Sequence, residues 1–210
     1  MTHSISRRLF TAGLLLAPGV GLAAAPVLSD EDKTTVDKAV AYLQGLSRAR
    51  GRFTQTDSRG KTAIGDVYLQ RPGKIRFEYD APNNNILVIS DGNQVSVADS
   101  KLKTTDRYPL RSTPLSLFLA KQIRLDRGVV VTQVDRAPGK FTITARDGGK
   151  DTAGSIIITF SDEPVGLMEW TIIDAQRQRT RIQLNSLNPV ASLDPELFKF
   201  AIPRTTGKGP

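Results

Sequence analysis

Few residues in this sequence could do covalent or acid–base chemistry. Its 210 residues include no cysteine and one histidine, His3, which lies in an N-terminal segment patterned like an export signal. The rest of the chain therefore lacks Ser–His–Asp and Cys–His nucleophile arrangements and the usual ligands of zinc and haem. Carboxylates, lysines and tyrosines remain as acid–base groups. Glu78, Asp80 and Asp91 lie in or near the most strongly patterned stretch, Gln70-Arg71-Pro72-Gly73-Lys74-Ile75-Arg76-Phe77-Glu78-Tyr79-Asp80. Glu78 and Asp80 alternate with the aromatic residues and so face away from them, and Asp91 falls in a turn. Solvated acids belong in such places, so catalysis by these carboxylates is the lesser expectation. No catalytic residue, metal ligand or cofactor is expected.

The elements that hold these residues follow from periodicity. Pro72 and Gly73 make a turn, since proline presets φ and glycine accepts φ > 0. Ile75, Phe77 and Tyr79 then share one face and Lys74, Arg76, Glu78 and Asp80 the other, the period-two pattern of a half-buried antiparallel strand. Upstream, Ser29-Asp30-Glu31-Asp32 has the form of a helix start, with Ser29 as cap and acids that suit the helix dipole. Val36, Ala39, Val40, Leu43 and Leu46 give that helix one apolar stripe. Strands are expected at Arg52–Asp57, Thr62–Leu69, Lys74–Asp80, Ile86–Ser90 and Gln94–Asp99, with the turn rhythm of an antiparallel meander.

That rhythm breaks at Arg111. Ser112 or Thr113 can cap, Pro114 suits a first helical position, and Leu115, Leu117, Phe118, Leu119 and Ile123 surround a short helix. A helix apolar all round is buried in a core, or covers an apolar surface that it can also leave; both readings stand. Strands resume at Val129–Val134, Phe141–Ala145, Ser155–Ser161, Leu167–Asp174 and Thr180–Asn185, and Phe198–Ile202 adds a last short one.

The expected fold is mainly β (α+β), with about 10–11 antiparallel strands and two helices. A sheet this large must curl or split to hide its inner face; curled, it becomes an open, incomplete barrel whose concave side the helices fill. Alternation puts Phe53, Ile75, Phe77, Tyr79, Leu87, Ile89, Val95, Val97, Phe141, Ile143, Met168, Trp170 and Ile172 on that side. The strand Leu167–Asp174 is apolar on both faces, so the choice of Met168, Trp170 and Ile172 is arbitrary there. A cavity wall and a filled core would use the same residues.

Residues 1–25 read as a cleavable export signal: Arg7 and Arg8 precede the apolar run Leu9–Leu22, and small residues follow. Ser6-Arg7-Arg8-Leu9-Phe10 is compatible with twin-arginine export as well as the general secretory route. The run, interrupted by Gly13, Pro18, Gly19 and Gly21, is too broken for a membrane span. Its removal lowers the formal net charge of +8 by two. The basic residues are spread along the chain, and a periplasmic protein meets little nucleic acid, so a solvated surface is the plain reading. Residues 26–203 are expected to form one domain and 204–210 a flexible tail.

The ordered set of motifs resembles the outer-membrane lipoprotein carrier (LolA) family over nearly all of the exported part. The carrying pieces are Phe53-Thr54-Gln55, Gly65-Asp66-Val67-Tyr68-Leu69-Gln70-Arg71-Pro72-Gly73-Lys74-Ile75-Arg76-Phe77-Glu78-Tyr79, Leu87-Val88-Ile89-Ser90-Asp91-Gly92, Thr113-Pro114-Leu115, and Leu197-Phe198-Lys199-Phe200 with Pro203. Phe77 stands where the family often has tryptophan. The resemblance implies an unclosed barrel lidded by helices, a monomeric periplasmic chaperone that shields lipoprotein acyl chains in a hydrophobic cavity. It implies cargo taken from an inner-membrane Lol ABC transporter and passed to a LolB-like outer-membrane receptor or to the outer membrane itself. By the same resemblance Arg71 is the lid latch and Pro114, Leu115, Leu117, Phe118 and Leu119 belong to the lid helix; the residues alone would make Arg71 a surface arginine beside a turn. A LolA-like carrier or sensor of another lipid, such as a glycolipid, is the alternative.

Overall fold

A computed structural model describes residues 27–123, 129–148 and 154–200. The expected export signal and the C-terminal tail lie outside the described residues.

The first helix, α1 (Asp30–Gly45), begins as its sequence dictates. Ser29 Oγ accepts from Asp32 N at 3.1 Å while the Asp32 carboxylate accepts from Ser29 N at 3.2 Å, a reciprocal capping box. Val36, Ala39 and Leu43 are buried along one stripe, and Leu46 continues it at the C-cap.

Eleven strands follow among the described residues. The first six are β1 (Arg48–Thr56), β2 (Thr62–Gln70), β3 (Lys74–Tyr79), β4 (Ile86–Asp91), β5 (Gln94–Asp99) and β6 (Thr104–Pro109). A short second helix, α2 (Leu115–Leu119), separates them from β7 (Val129–Ala137), β8 (Lys140–Asp147), β9 (Gly154–Ser161), β10 (Gly166–Asp174) and β11 (Arg179–Pro189). They form one sheet in the order β6-β5-β4-β3-β2-β1-β11-β10-β9-β8-β7. Every pairing is antiparallel, and the two meanders meet where β1 pairs with β11. β6 and β7 are the two ends of the order and do not pair with each other, so the sheet does not close.

Both helices pack on one face of this sheet. Val36, Ala39 and Leu43 of α1 and Leu115, Phe118 and Leu119 of α2 share a single apolar cluster with inward residues of strands from both halves. A smaller cluster of Leu87, Ile89 and Ala98, with Phe200 against it, lies apart.

Two elements differ from the sequence reading. β6 was not expected: Thr104 to Pro109 are all exposed, so this end strand pairs with β5 through its backbone and has no alternation to betray it. The last strand expected at Phe198–Ile202 is replaced, in its described part, by a 3₁₀ turn over Pro195–Phe198. Asp194 caps that turn, accepting from Glu196 N at 2.9 Å, and Phe198 is buried.

Candidate functional site

The turn between β2 and β3 carries Arg71, and the two helices end beside it. Gly73 has φ +77 and its position leaves no room for a side chain, since a Cβ there would lie 2.6 Å from Gly92 Cα. The turn backbone is tied down: Arg71 N donates to Ser47 O at 2.8 Å and Gly73 N to Leu119 O at 2.8 Å. From this base the Arg71 guanidinium reaches two helix ends. Nη1 donates to the carbonyl of Leu43, in the last turn of α1, and Nη2 donates to that of Ala120, the residue after α2, at 2.6 Å. The last carbonyls of a helix have no partner within it and carry its negative dipole end. Neither α1 nor α2 has a basic residue in its last turn, so Arg71 supplies one cation to both. Burial pushes its pKa down, and its Nε is buried without a partner.

Alongside, α2 follows Pro114 and lacks a side-chain cap. Leu115, Phe118 and Leu119 are buried and Leu117 is half-buried against the same cluster, so the helix is apolar on nearly every side. Phe118 stacks on Trp170 of β10. Beneath the helices stand Phe53, Ile75, Phe77, Tyr79, Val95, Phe141, Ile143 and Trp170, all buried in that cluster, with Ile172 half-buried against it. Phe53 meets Phe77 and Tyr79 edge to face, centroids 5.0 and 5.3 Å apart. Gly65 makes this possible: a Cβ there would lie 2.9 Å from the Phe53 ring and 2.0 Å from the Glu78 carbonyl oxygen.

The helices fill the part of the concave face that they cover. A space of only about 30 Å³ remains between them and β8–β9, lined by Val40, Leu43, Leu117, Ile123, Ile143 and Phe160 among others. That has room for a few water molecules and is far short of an acyl chain. A larger cleft of about 360 Å³ opens at the strand ends away from Arg71, where Tyr79, Ile86, Val88 and Val97 meet Asp57, Arg59 and Lys61. Another, about 550 Å³, runs beside the Arg71 turn between Pro72, Leu110, Leu119 and Lys121. Both are mixed in polarity and shallow compared with the apolar interior under the helices.

Three residues expected on the inner face do not lie there. Register pairs Phe77 with Val88 and Val88 with Val97, so Val88 and Val97 face inward; Leu87 pairs with Glu78 and Ala98, and Ile89 with Arg76 and Ser96, on the opposite face. The run Ile86 to Ile89 is apolar throughout, and parity could not be read from it. Leu87 and Ile89 are buried all the same, in the second cluster with Ala98 and Phe200. Met168 is 43 % exposed. A bulge between Leu167 and Glu169 shifts the register of β10, so that Leu167 and Trp170 both turn inward and Met168 is turned out.

The acids are committed elsewhere. Arg52 pairs with Asp66 at 3.1 Å and with Asp80, and this hydrogen bonding holds the Asp80 carboxyl below its ordinary pKa. Glu78 accepts from Arg76 Nε at 2.7 Å, and Asp91 accepts from the backbone N–H groups of Asn93 and Gln94 at 2.7 and 2.9 Å. These three carboxylates hold structural partners and do not converge.

The arrangement is thus an apolar concave sheet under two helices whose ends are tied by one arginine. A family model described as outer membrane lipoprotein carrier protein LolA matches residues 44–201. The chain belongs to the LolA family. Within that family it is 28% identical over 204 residues to an outer-membrane lipoprotein carrier protein of Azotobacter vinelandii, covering 92% of this chain and 95% of that one. A protein of the same name from Methylobacillus flagellatus is 28% identical over 181 residues, covering 80% and 85%. The crystal structure of a LolA-superfamily protein from Nitrosomonas europaea aligns over 80% of this chain and 97% of that one, at 6% identity and a TM-score of 0.46. Arg71, the inward aromatic residues and α2 lie within the stretch that the family model matches; α1 precedes it except for its last two residues, Gln44 and Gly45.

Proposed function

We propose that this protein is a periplasmic chaperone that shields the acyl chains of lipoproteins and carries them from an inner-membrane ABC transporter to the outer membrane or a receptor there. Arg71 is the latch of a lid made by α1 and α2. The observation that carries this reading is the bridge from one guanidinium to carbonyls at the ends of both helices, over an apolar interior that the helices cover. Loading then requires the helices to move, and the bridge sets how readily they do.

The magnitudes suit a carrier. Hydrogen bonds to a charged group contribute about 1.5–3 kcal/mol each, and each buried methylene about 0.8 kcal/mol. About eight methylenes therefore outweigh both latch bonds, a fraction of one acyl chain. The lid holds against solvent and yields to lipid. Release follows from the same small difference, because the helices re-cover the wall as the chain departs.

Delivery assays with Arg71→Leu test the latch. The variant is expected to fold, to hold cargo or stay unlatched, and to fail in transfer; delivery at the wild-type rate overturns the assignment. Native mass spectrometry of the protein recovered from a periplasm tests the cargo. One-to-one complexes with acylated lipoproteins support the reading, whereas a free lipid of one distinct mass moves the function to transport of that lipid.

A further inference from the structure

Among the described residues, two buried side-chain polar atoms have no hydrogen-bond partner, Arg71 Nε and Trp170 Nε1. Both are donors. Arg71 is engaged by the ends of the helices, and Trp170 lies under Phe118 of α2. A buried N–H without an acceptor costs desolvation that nothing returns, and buried tryptophan normally finds a partner for its N–H.

Trp170 is 1 % exposed in the middle of β10, paired with Ile158 on one side and Ile182 on the other. Its ring neighbours are Phe118 at 5.2 Å and, across the interior, Phe77 at 6.2 Å. For packing alone, an apolar side chain would serve here without burying an idle donor. An indole here gains its hydrogen bond only if an acceptor arrives when Phe118 moves away.

We propose that Trp170 is a ligand-recognition residue: once α2 lifts, its indole N–H donates to a carbonyl oxygen of the bound lipid, at the ester or amide that joins an acyl chain to its head. The assignment rests on the carrier reading and sharpens it. A bare hydrocarbon offers no acceptor, and neither does a cationic head. Arg71, freed from Leu43 and Ala120, likewise presents donors only, so both polar groups under lid control select the same ligand class.

The test compares two probes on the mature protein by calorimetry: an ester-linked dipalmitoylglyceryl-cysteine dipeptide and its dialkyl ether analogue of equal chain length. Wild-type protein is expected to bind the ester about two- to tenfold more tightly, the worth of one neutral hydrogen bond. Trp170→Phe keeps an aromatic ring, smaller than the indole, and loses the N–H, and is expected to bind both probes alike. Equal affinities in the wild type, or an ester preference kept by Trp170→Phe, overturn the proposal. Because Trp170 is the single tryptophan of the chain, its emission gives a readout that needs no variant, expected to move further to long wavelength with the ester than with the ether. Binding of neither probe overturns the carrier reading itself, which separates the two failures.

Discussion

The Phe118 ring lies on the Trp170 indole, centroids 5.2 Å apart and planes 24° from parallel. One residue belongs to the five-residue helix α2 and the other to the middle of β10, so this contact joins the helix to the sheet. Its loss is expected to be visible. Phe118→Ala removes a fully buried ring, for which core substitutions cost about 3–5 kcal/mol, and uncovers the only indole. Urea titration should show the lower stability, and the native-state emission should shift to longer wavelength. Unchanged emission would place Trp170 outside lid control.

Arg71→Leu removes two charge-assisted bonds, each worth about 1.5–3 kcal/mol, from helices with no basic residue in the last turn. Hydrogen exchange is expected to speed up in α2 and the last turn of α1 while the strands stay protected. Arg71→Lys is expected to restore little, because a single ammonium cannot reproduce a rigid fork between two carbonyls. Equal protection in Arg71→Leu and wild type would remove the latch role.

Gly65→Ala tests the aromatic wall. The added Cβ would sit 2.0 Å from the Glu78 carbonyl oxygen and 2.9 Å from the Phe53 ring, so β2, β3 or Phe53 must shift. Overpacking of this kind costs about 1–3 kcal/mol, and thermal unfolding should register it. Stability within a few tenths of wild type would show that the wall can yield.

The other end of α1 is expected to loosen in acid. Arg136 Nη2 donates to Asp32 at 2.8 Å, and the Ser29 hydroxyl, then Arg136, hold the Asp32 carboxyl below its ordinary pKa. A carboxyl depressed in the folded state stabilises fully above its unfolded value, about 4, and loses that contribution as pH falls through the lower folded value. Exchange protection of the first turns of α1 should be flat from neutral pH to about 5 and drop below about 4. Asp32→Asn should remove part of that step; an identical acid profile in the variant would dismiss the pair.

The reassigned face of β4 can be checked by pairing substitutions. Leu87→Ala and Ile89→Ala open space in the outer cluster and should cost about 2–5 kcal/mol without changing lipid affinity. Val88→Ala, on the inner face opposite Phe77 and Val97, should change both. An altered lipid affinity in Ile89→Ala would return that residue to the cavity.

Much of this molecule was legible residue by residue. The Ser29 cap, the stripe from Val36 to Leu46, the Pro72-Gly73 turn and the alternation of Ile75, Phe77 and Tyr79 are local. Each follows from backbone preference and period within a few residues, and each stands in the structure where it was expected. Strand β6 was hidden because an end strand that buries no side chain leaves no pattern. Leu87, Ile89 and Met168 were misplaced for a related reason: where both faces are apolar, or a bulge resets parity, the side-chain period no longer reports the face.

The sequence by itself determined a mainly β chain with two helices, without the side chains of most catalytic and metal chemistry outside His3, and with the ordered motifs of one family. Those properties reside in composition and in short-range order. Only the tertiary structure decided that Arg71 meets Leu43 and Ala120, residues 28 and 49 positions away along the chain. It alone decided that Phe118 covers the one indole, and that the donor of that indole is left without an acceptor. Such relations depend on sheet register and helix docking, which join distant segments through burial and leave no mark on the local sequence.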